Sequence, residues 1–351
     1  MYRIVVAISV LQLLCALFFV YPTVRLGTWL AITPTIVWGI ATLLFFSQLI
    51  ARGLLRNPKS RWKRGIRRAA DFVLGLAPVL LGVTLLGEIA LAASLVAPQT
   101  YGAIALVILG VTGLWSVWKA YTPDLVTIEL TSAKLTQPVV FAQISDVHIG
   151  SRSQAFLARV IALVNSTPAE FLCITGDLVD ETGISSTRLE PLGQFTKARY
   201  FCSGNHEHYE DWPQIKNDLE RLGVQVLQGS TIEHEQLQII GFDDHAHPDF
   251  LGEALPQLNL RQDLFSVLLF HRPLGLNHSA AHGIDLQLAG HTHNGQIKPF
   301  NLLVRLQFKF LKGLYKEGNT HLYVNEGTGT WGPPMRLGSR SEVTLFRISP
   351  C

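Results

Sequence analysis

Cysteine is scarce in this chain. Only Cys15, Cys173, Cys202 and Cys351 occur in 351 residues, and no spacing among them suits a zinc knuckle or a disulfide framework. Cys15 lies in an apolar run, and Cys173 and Cys202 lie in segments that read as buried strands, so packed, reduced thiols are expected. Acidic residues are nearly missing from the first third. Up to Pro123 there are eleven Lys/Arg but two Asp/Glu, and because the whole chain is +3 the remainder is −6. That remainder lacks the basic face with which nucleic-acid binders meet phosphates, so no nucleic-acid partner is expected. Internal repeats and low-complexity segments are absent as well.

What the first third does have is long apolar runs. Four are expected to span a bilayer, at about Ile4–Val20, Trp29–Ile50, Phe72–Val96 and Tyr101–Trp118, each close to the roughly 20 residues a spanning helix needs. The first run has only Arg3 as a charged flank, no small-x-small cleavage site, and Leu14 before Cys15 where a lipoprotein signal carries a small residue. It is therefore read as a span and not as a signal peptide. Between the second and third runs lie Arg52, Arg56, Lys59, Arg61, Lys63, Arg64, Arg67 and Arg68, with no acid before Asp71, whereas the other two loops hold only Arg25. Basic short loops stay in the cytoplasm, which places everything after Trp118 on the cytoplasmic side, in a bacterial protein at the inner membrane. Such clusters also favour anionic lipid head groups. Glu88 is the one acid well inside a span, and a structural or interfacial role is expected for it. The domain reading is a transmembrane region over 1–120 and a catalytic domain over 121–351.

From about Leu125 short apolar runs alternate with amphipathic stretches, the order of an α/β domain. Five buried strands run into turns that present Asp, Asn or His. They are VVFAQIS before Asp146-Val147-His148, EFLCIT before Gly176-Asp177-Leu178-Val179-Asp180, ARYFCS before Gly204-Asn205-His206-Glu207, SVLLF before His271, and DLQLA before Gly290-His291-Thr292-His293. Ligands bind at the carboxyl ends of strands in α/β sheets, so five segments can converge on one crevice. Carboxylate, imidazole and amide donors without a thiolate suit divalent Mn, Fe, Zn or Mg better than a structural zinc site. At least seven donors are enough for two ions sharing a carboxylate, an arrangement that can hold a phosphoryl group and activate a water. The glycines before Asp177, Asn205 and His291 allow tight turns and close backbone approach. Any one of these motifs alone is ordinary turn chemistry; the ordered set is what points to a metal site.

DVH, GDLVD, GNHE, the isolated His271 and GHTH, in this order over Val139 to Ile348, resemble the calcineurin-like metallophosphoesterase superfamily. LQLAGHTHNGQI and YVNEGTGTWGPPMRLGSRSE are similar to its bacterial membrane-associated phosphodiesterase subgroup, with Asn294 where the pattern has Gly. The resemblance implies an α/β fold, a double β-sandwich flanked by helices, here preceded by an all-α transmembrane region of four spans. It implies one metal on Asp146, His148, Asp177 and His293, with Asp177 bridging to a second on Asn205, His271 and His291. It implies that a dinuclear-metal-activated hydroxide attacks phosphorus, that His206 contacts the phosphate and protonates the leaving oxygen, and that Asp180 orients His206 or a ligand. Manganese is the first expectation for the two divalent ions, with Fe, Zn and Mg as alternatives. Glu207 and His208 receive no role beyond a structural one. Arg272 is expected either at substrate or in a surface salt bridge.

If Phe300–Lys316 is helical, Arg305, Lys309, Lys312 and Lys316 share one face and Leu303, Phe310 and Leu314 the other. A basic amphipathic helix suits the membrane interface and favours a phosphodiester or pyrophosphate in a lipid or lipid precursor. The alternatives are a tethered phosphodiesterase for a soluble substrate and a non-catalytic metal-binding membrane scaffold. The intact ligand set argues against the last.

Overall fold

The computed structural model of the chain describes residues 2–55 and 60–351, so Arg56 and Lys59 of the basic stretch lie outside the described residues. The chain divides into two compact units, Met1–Trp118 with Gly332–Met335, and Lys119–Trp331 with Arg336–Cys351.

Among the described residues four helices are long and apolar enough to cross a membrane: α1 (Val5–Trp29), α2 (Pro34–Leu54), α3 (Trp62–Ala92) and α4 (Pro98–Tyr121). α1 runs on past Val20, so Arg25 sits on a helix and not in a loop. The run tolerates this charge because Arg25 is paired. Its guanidinium grips the Glu88 carboxylate of α3 through two nitrogens, one of them 2.8 Å from Oε2, and the Tyr21 hydroxyl donates to the same carboxylate at 3.2 Å. Glu88 is thus one half of an interhelical ion pair, the usual way an ionisable group is kept at such depth. α3 likewise starts inside the basic stretch, and its buried Asp71 accepts from Arg52 at 2.7 Å.

The second unit is a sandwich of two six-stranded sheets. The first has the order β1 (Asp124–Ser132), β12 (Glu342–Pro350), β2 (Val139–Ile144), β3 (Phe171–Thr175), β4 (Ala198–Cys202), β5 (Gln225–Val226). The second has the order β10 (Gly313–Glu317), β11 (Thr320–Val324), β9 (Leu286–Ala289), β8 (Phe265–Leu269), β7 (Leu237–Gly241), β6 (Ser230–His234). β2 to β5 are mutually parallel, as are β7, β8, β9 and β11. Phe141, Phe171, Cys173, Tyr200 and Cys202 of the first sheet meet Val267, Leu269, Leu286, Leu288 and Tyr323 of the second in the inter-sheet core. The alternate residues Ala142, Ile144, Leu172, Ile174 and Phe201 face outward, where Phe156, Leu157, Val160, Ile161 and Val164 of α5 (Gln154–Asn165) cover them. Burial on both faces is why these strands read as continuous apolar runs. Short helices α6 (Asn205–Tyr209), α7 (Trp212–Arg221), α8 (Phe250–Ala254) and α9 (Leu276–Ala281) fill the connections.

A second expectation fails as well. Phe300–Lys316 is not a continuous helix: α10 covers only Asn301–Gln307, the chain extends from Phe308, and β10 follows. Gly313 at φ +78° cannot continue a right-handed helix, and β10 pairs with β11, Lys316 opposite His321. Arg305, Lys309, Lys312 and Lys316 therefore do not share a helical face.

Candidate metal centre

The carboxyl ends of β2, β3, β4, β8 and β9 bring the sequence-selected residues together. Asp146 and His148 follow β2, Asp177 and Asp180 follow β3, Asn205 and His206 open α6 after β4, His271 follows β8, and His291 and His293 follow β9. Potential ligand atoms of Asp146, His148 and His293 lie within 4.8 Å of one another, as do those of Asp177, His271 and His291 and those of His148, Asp177 and His206. Asp146, His148, Asp177, His291 and His293 all have positive φ, between 49° and 70°. For side chains with a Cβ this left-handed conformation costs roughly 1 kcal/mol or more each, a strain that concentrates at functional sites.

The hydrogen bonds around these residues hold them from behind. His271 places Nδ1 2.8 Å from the Thr175 carbonyl oxygen, which only an N–H can face, so in the neutral ring the lone pair is on Nε2. That nitrogen points at Asp177 Oδ2 from 3.2 Å and at His291 Nδ1 from 3.1 Å. His148 and His293 bring their Nε2 atoms to 3.1 Å, and His293 Nε2 is 3.3 Å from Asp146 Oδ1. Asp146 accepts from the Ser145 hydroxyl at 2.5 Å and from the His291 amide. Asp177 Oδ1 accepts the His206 amide at 2.8 Å.

Three features of this arrangement suit a divalent cation. Asn205 Oδ1 is buried without a hydrogen-bond partner, which is costly for an acceptor that nothing else will satisfy. Imidazole nitrogens and carboxylate oxygens face one another at 3.1–3.3 Å, an arrangement a positive charge between them relieves. Burial, and next the neighbouring His206, hold His148 well below the ordinary imidazole range; burial, His271 and Arg272 bring His291 down to about 3. Neutral imidazoles are what metal ligation needs. Burial would also lower His271, but the Asp177 carboxylate beside it wins and pushes it up to about 10. Asp177 is held well below the usual carboxylate range; burial opposes this, and the charge and hydrogen bond of His271 outweigh it. The site thus attracts positive charge onto His271 next to Asp177. Oxygen and imidazole donors of this kind could hold two divalent ions, and the fit is good.

Close packing makes two glycines indispensable. A Cβ on Gly204 would lie 2.2 Å from Asp177 Oδ1, and one on Gly290 would lie 2.0 Å from Ser145 Oγ and 2.2 Å from Asp146 Oδ2. Gly290→Ala is therefore expected to displace Asp146, lowering stability by about 1–3 kcal/mol and metal content with it. Elemental analysis alongside thermal melting of the variant checks this, and unchanged values for both would contradict the packing.

His206 lies at the mouth, its ring 4.8 Å from His148, 5.7 Å from Tyr209 and 6.0 Å from Trp331. Asp180 sits beside His148, with Oδ2 3.5 Å from Nδ1, and accepts from the amide and hydroxyl of Ser151 at 2.8 and 2.6 Å. Arg272 pairs with Asp244, Nε and Nη2 each within 3.0 Å of its oxygens. Asn294 occupies the left-handed region, which asparagine tolerates, and its amide donates to buried Glu326 at 2.9 Å.

Residue types alone did not single out three anchoring groups. Fully buried Glu207 accepts the amides of Leu178 and Val179 on Oε1 and those of Asp177 and Gly204 on Oε2, all at 2.7–3.0 Å. Its place three residues after Gly204, at the start of a helix, is the spacing of a helix-opening acidic cap, and that signal was available. Glu326 ties Asn294 to Arg340, whose Nε is 3.1 Å away. Buried Arg336 donates to the carbonyls of His293, Gly327 and Gly329 at 2.7–3.1 Å. Glu326 and Arg336 lie within the YVNEGTGTWGPPMRLGSRSE stretch that carried the resemblance, but neither of them received a role from it.

A family model for the calcineurin-like phosphoesterase matches residues 139–295. An uncharacterized metallophosphoesterase of Helicobacter pylori is 34% identical over 228 residues, 62% of this chain and 61% of that protein. The uncharacterized metallophosphoesterase YkuE of Bacillus subtilis is 31% identical over 226 residues, 59% of this chain and 77% of that protein. A transmembrane protein with metallophosphoesterase domain from Danio rerio is 31% identical over 272 residues, 69% of this chain and 61% of that protein. The match spans 61% of the length of the Helicobacter and Danio relatives. With its strand-end motifs gathered at one end of a double β-sandwich, this chain belongs to the calcineurin-like phosphoesterase family.

Proposed function

We propose that the chain is a membrane-anchored, metal-dependent hydrolase of a phosphodiester or pyrophosphate bond in a lipid or lipid precursor. In this reading residues 1–120 are the transmembrane region and residues 121–351 the catalytic domain. The observation that carries the proposal is the pair of adjoining buried donor groups, Asp146–His148–His293 and Asp177–His271–His291. Asp146, His148, Asp177 and His293 would hold one divalent ion, and Asp177, Asn205, His271 and His291 a second, manganese being the first candidate and Fe, Zn and Mg the others. Such ions supply Lewis-acid charge to the phosphoryl oxygens and to the attacking water.

The remaining work falls to this chain's own side chains. His206, at the mouth beside His148, donates a hydrogen bond to a phosphoryl oxygen and passes its ring proton to the departing ester oxygen. Water, its proton released to solvent, forms the new P–O bond as the P–O bond to the leaving group breaks, so no covalent enzyme intermediate is required. The hydrogen bond that the His206 backbone N–H donates to Asp177 Oδ1 fixes where that ring starts. Asp180 holds the loop of Ser151 and orients His148, as outer carboxylates do for ligand imidazoles.

The bilayer side follows from charge. The basic stretch running from the end of α2 into the start of α3 favours the cytoplasmic face of a bacterial inner membrane, and two spans, α3 and α4, return the chain to that face. The catalytic domain would then be cytoplasmic.

The test is hydrolysis of bis-p-nitrophenyl phosphate and p-nitrophenyl phosphate by the detergent-purified full chain, stripped of metal and reloaded with Mn. Metal-dependent cleavage of the diester is expected. No turnover of either compound with Mn, Fe, Zn or Mg, despite measured metal occupancy, would replace the hydrolase by the scaffold reading.

A further inference from the structure

Among the described residues of the second unit seven large hydrophobic side chains are exposed; Leu125 and Leu314 stand apart, and the other five belong to two groups. Three of them, Leu302, Leu303 and Leu306, lie on the single short helix α10, exposed at 58%, 61% and 85%. Two more, Tyr209 and Trp331, flank His206 at the mouth of the site.

α10 is bound to the metal-site residues at both ends. At its start, a Cβ on Gly295 would lie 2.3 Å from the Asn301 amide nitrogen, so the helix is seated directly on the turn that carries His293. At its end, buried Phe308 packs edge-on against the His291 ring with centroids 5.0 Å apart. Exposed Arg305 and Lys309 border the leucines in a region of the chain that is net −6. Local positive charge around an apolar ridge, on an otherwise acidic domain, complements an anionic lipid surface.

We propose that α10 is an interfacial docking element: Leu302, Leu303 and Leu306 enter the head-group region of the bilayer, Arg305 and Lys309 meet anionic lipid, and the mouth of the site opens onto the membrane surface. The occupant of this face is the bilayer in which the chain is already anchored, not a second copy. The surface deepens the lipid-substrate reading given above, because a head-group ester would then reach the site without leaving the membrane. The element is the apolar ridge of a seven-residue helix, which replaces the long basic face expected from sequence.

The experiment uses the full chain in vesicles of phosphatidylcholine and phosphatidylglycerol. Cys15, Cys173 and Cys202 are buried, so Cys351→Ser leaves a background in which Leu306→Cys takes an environment-sensitive fluorophore. Glu220→Cys on exposed α7 serves as the solvent reference. Blue-shifted emission at position 306, quenched by nitroxide-bearing lipid and weakened by Arg305→Gln with Lys309→Gln, is the expected result. Emission matching the reference and indifferent to nitroxide lipid would overturn the proposal. So would a blue shift without lipid quenching, which would mean that a second copy covers the face.

A kinetic arm separates docking from chemistry. Replacing all three leucines with Ser should raise KM for a lipid-presented phosphodiester roughly tenfold or more, while hydrolysis of the soluble aryl diester stays within about twofold. Equal losses on both substrates would also overturn it. If no lipid ester is ever turned over but the fluorophore is quenched, the lipid-substrate reading fails and the docking surface stands.

Discussion

Asp177→Asn is expected to lower turnover of the aryl diester by about a thousandfold or more, roughly 4 kcal/mol of barrier, while leaving the protein folded. The substitution keeps the shape. Its carbonyl oxygen can still accept the His206 amide, now at 2.8 Å from Oδ1, so the turn into α6 should survive. What it loses is the negative charge 3.2 Å from His271 Nε2, in a site where both Asp146 and Asp177 are buried and, among the described residues, no other carboxylate adjoins His271 and His291 in one ligand group. An amide in that place would turn its N–H atoms toward imidazole lone pairs and cannot offer charge to a cation. Metal bound per chain should fall along with activity, and elemental analysis of the purified variant measures it directly. Full turnover with unchanged metal content would remove Asp177 from the site.

Glu207→Gln should do its damage through stability first. The carboxylate takes four backbone amides, two on each oxygen. Glutamine keeps one oxygen and sets an NH2 group against the other two amides, so two buried donors lose their acceptor at about 1–3 kcal/mol each. For a domain of this size that corresponds to a fall of roughly 10 °C in melting temperature. The amides concerned are those of Asp177, Leu178, Val179 and Gly204, so the loop presenting Asp177 and the turn presenting Asn205 loosen together. Metal affinity should drop by about 10- to 100-fold, the usual effect of removing a group that holds a ligand from behind. Calorimetric metal titration with melting curves tests both parts. A variant that melts and binds metal as the parent does would show that the four amides find acceptors elsewhere.

Much of this was legible from residue order. Strands such as Phe171–Thr175 are apolar on both faces because they lie inside a covered sandwich, and their ends could be read because a run of that kind stops abruptly at Gly-Asp or Gly-Asn. Cys173 and Cys202 were placed in strands for the same reason. β1, β6 and β10 were not legible. They sit at sheet edges with alternating or partial burial; β1 depends on the distant β12, whereas β6 and β10 pair with the strand that follows each across a two-residue turn. Arg25 was read as a loop residue because hydropathy counts a charge without its partner, and the partner is 63 positions away at Glu88.

The sequence by itself determined the four apolar helices, the α/β class and the five strand-end motifs that supply the donors, since each depends on the local order of apolar and polar residues. Tertiary structure decided which donors share a cluster, which amides Glu207 accepts and that Glu326 and Arg336 hold the site from behind, and that residues 300–316 form a short apolar helix and a strand instead of one basic helix. Most of those outcomes rest on long-range contacts, since buried amides need an acceptor and Phe308 needs the ring of His291, whereas β10 meets β11 across the two-residue turn Gly318-Asn319. No local periodicity encodes where such a partner will be found.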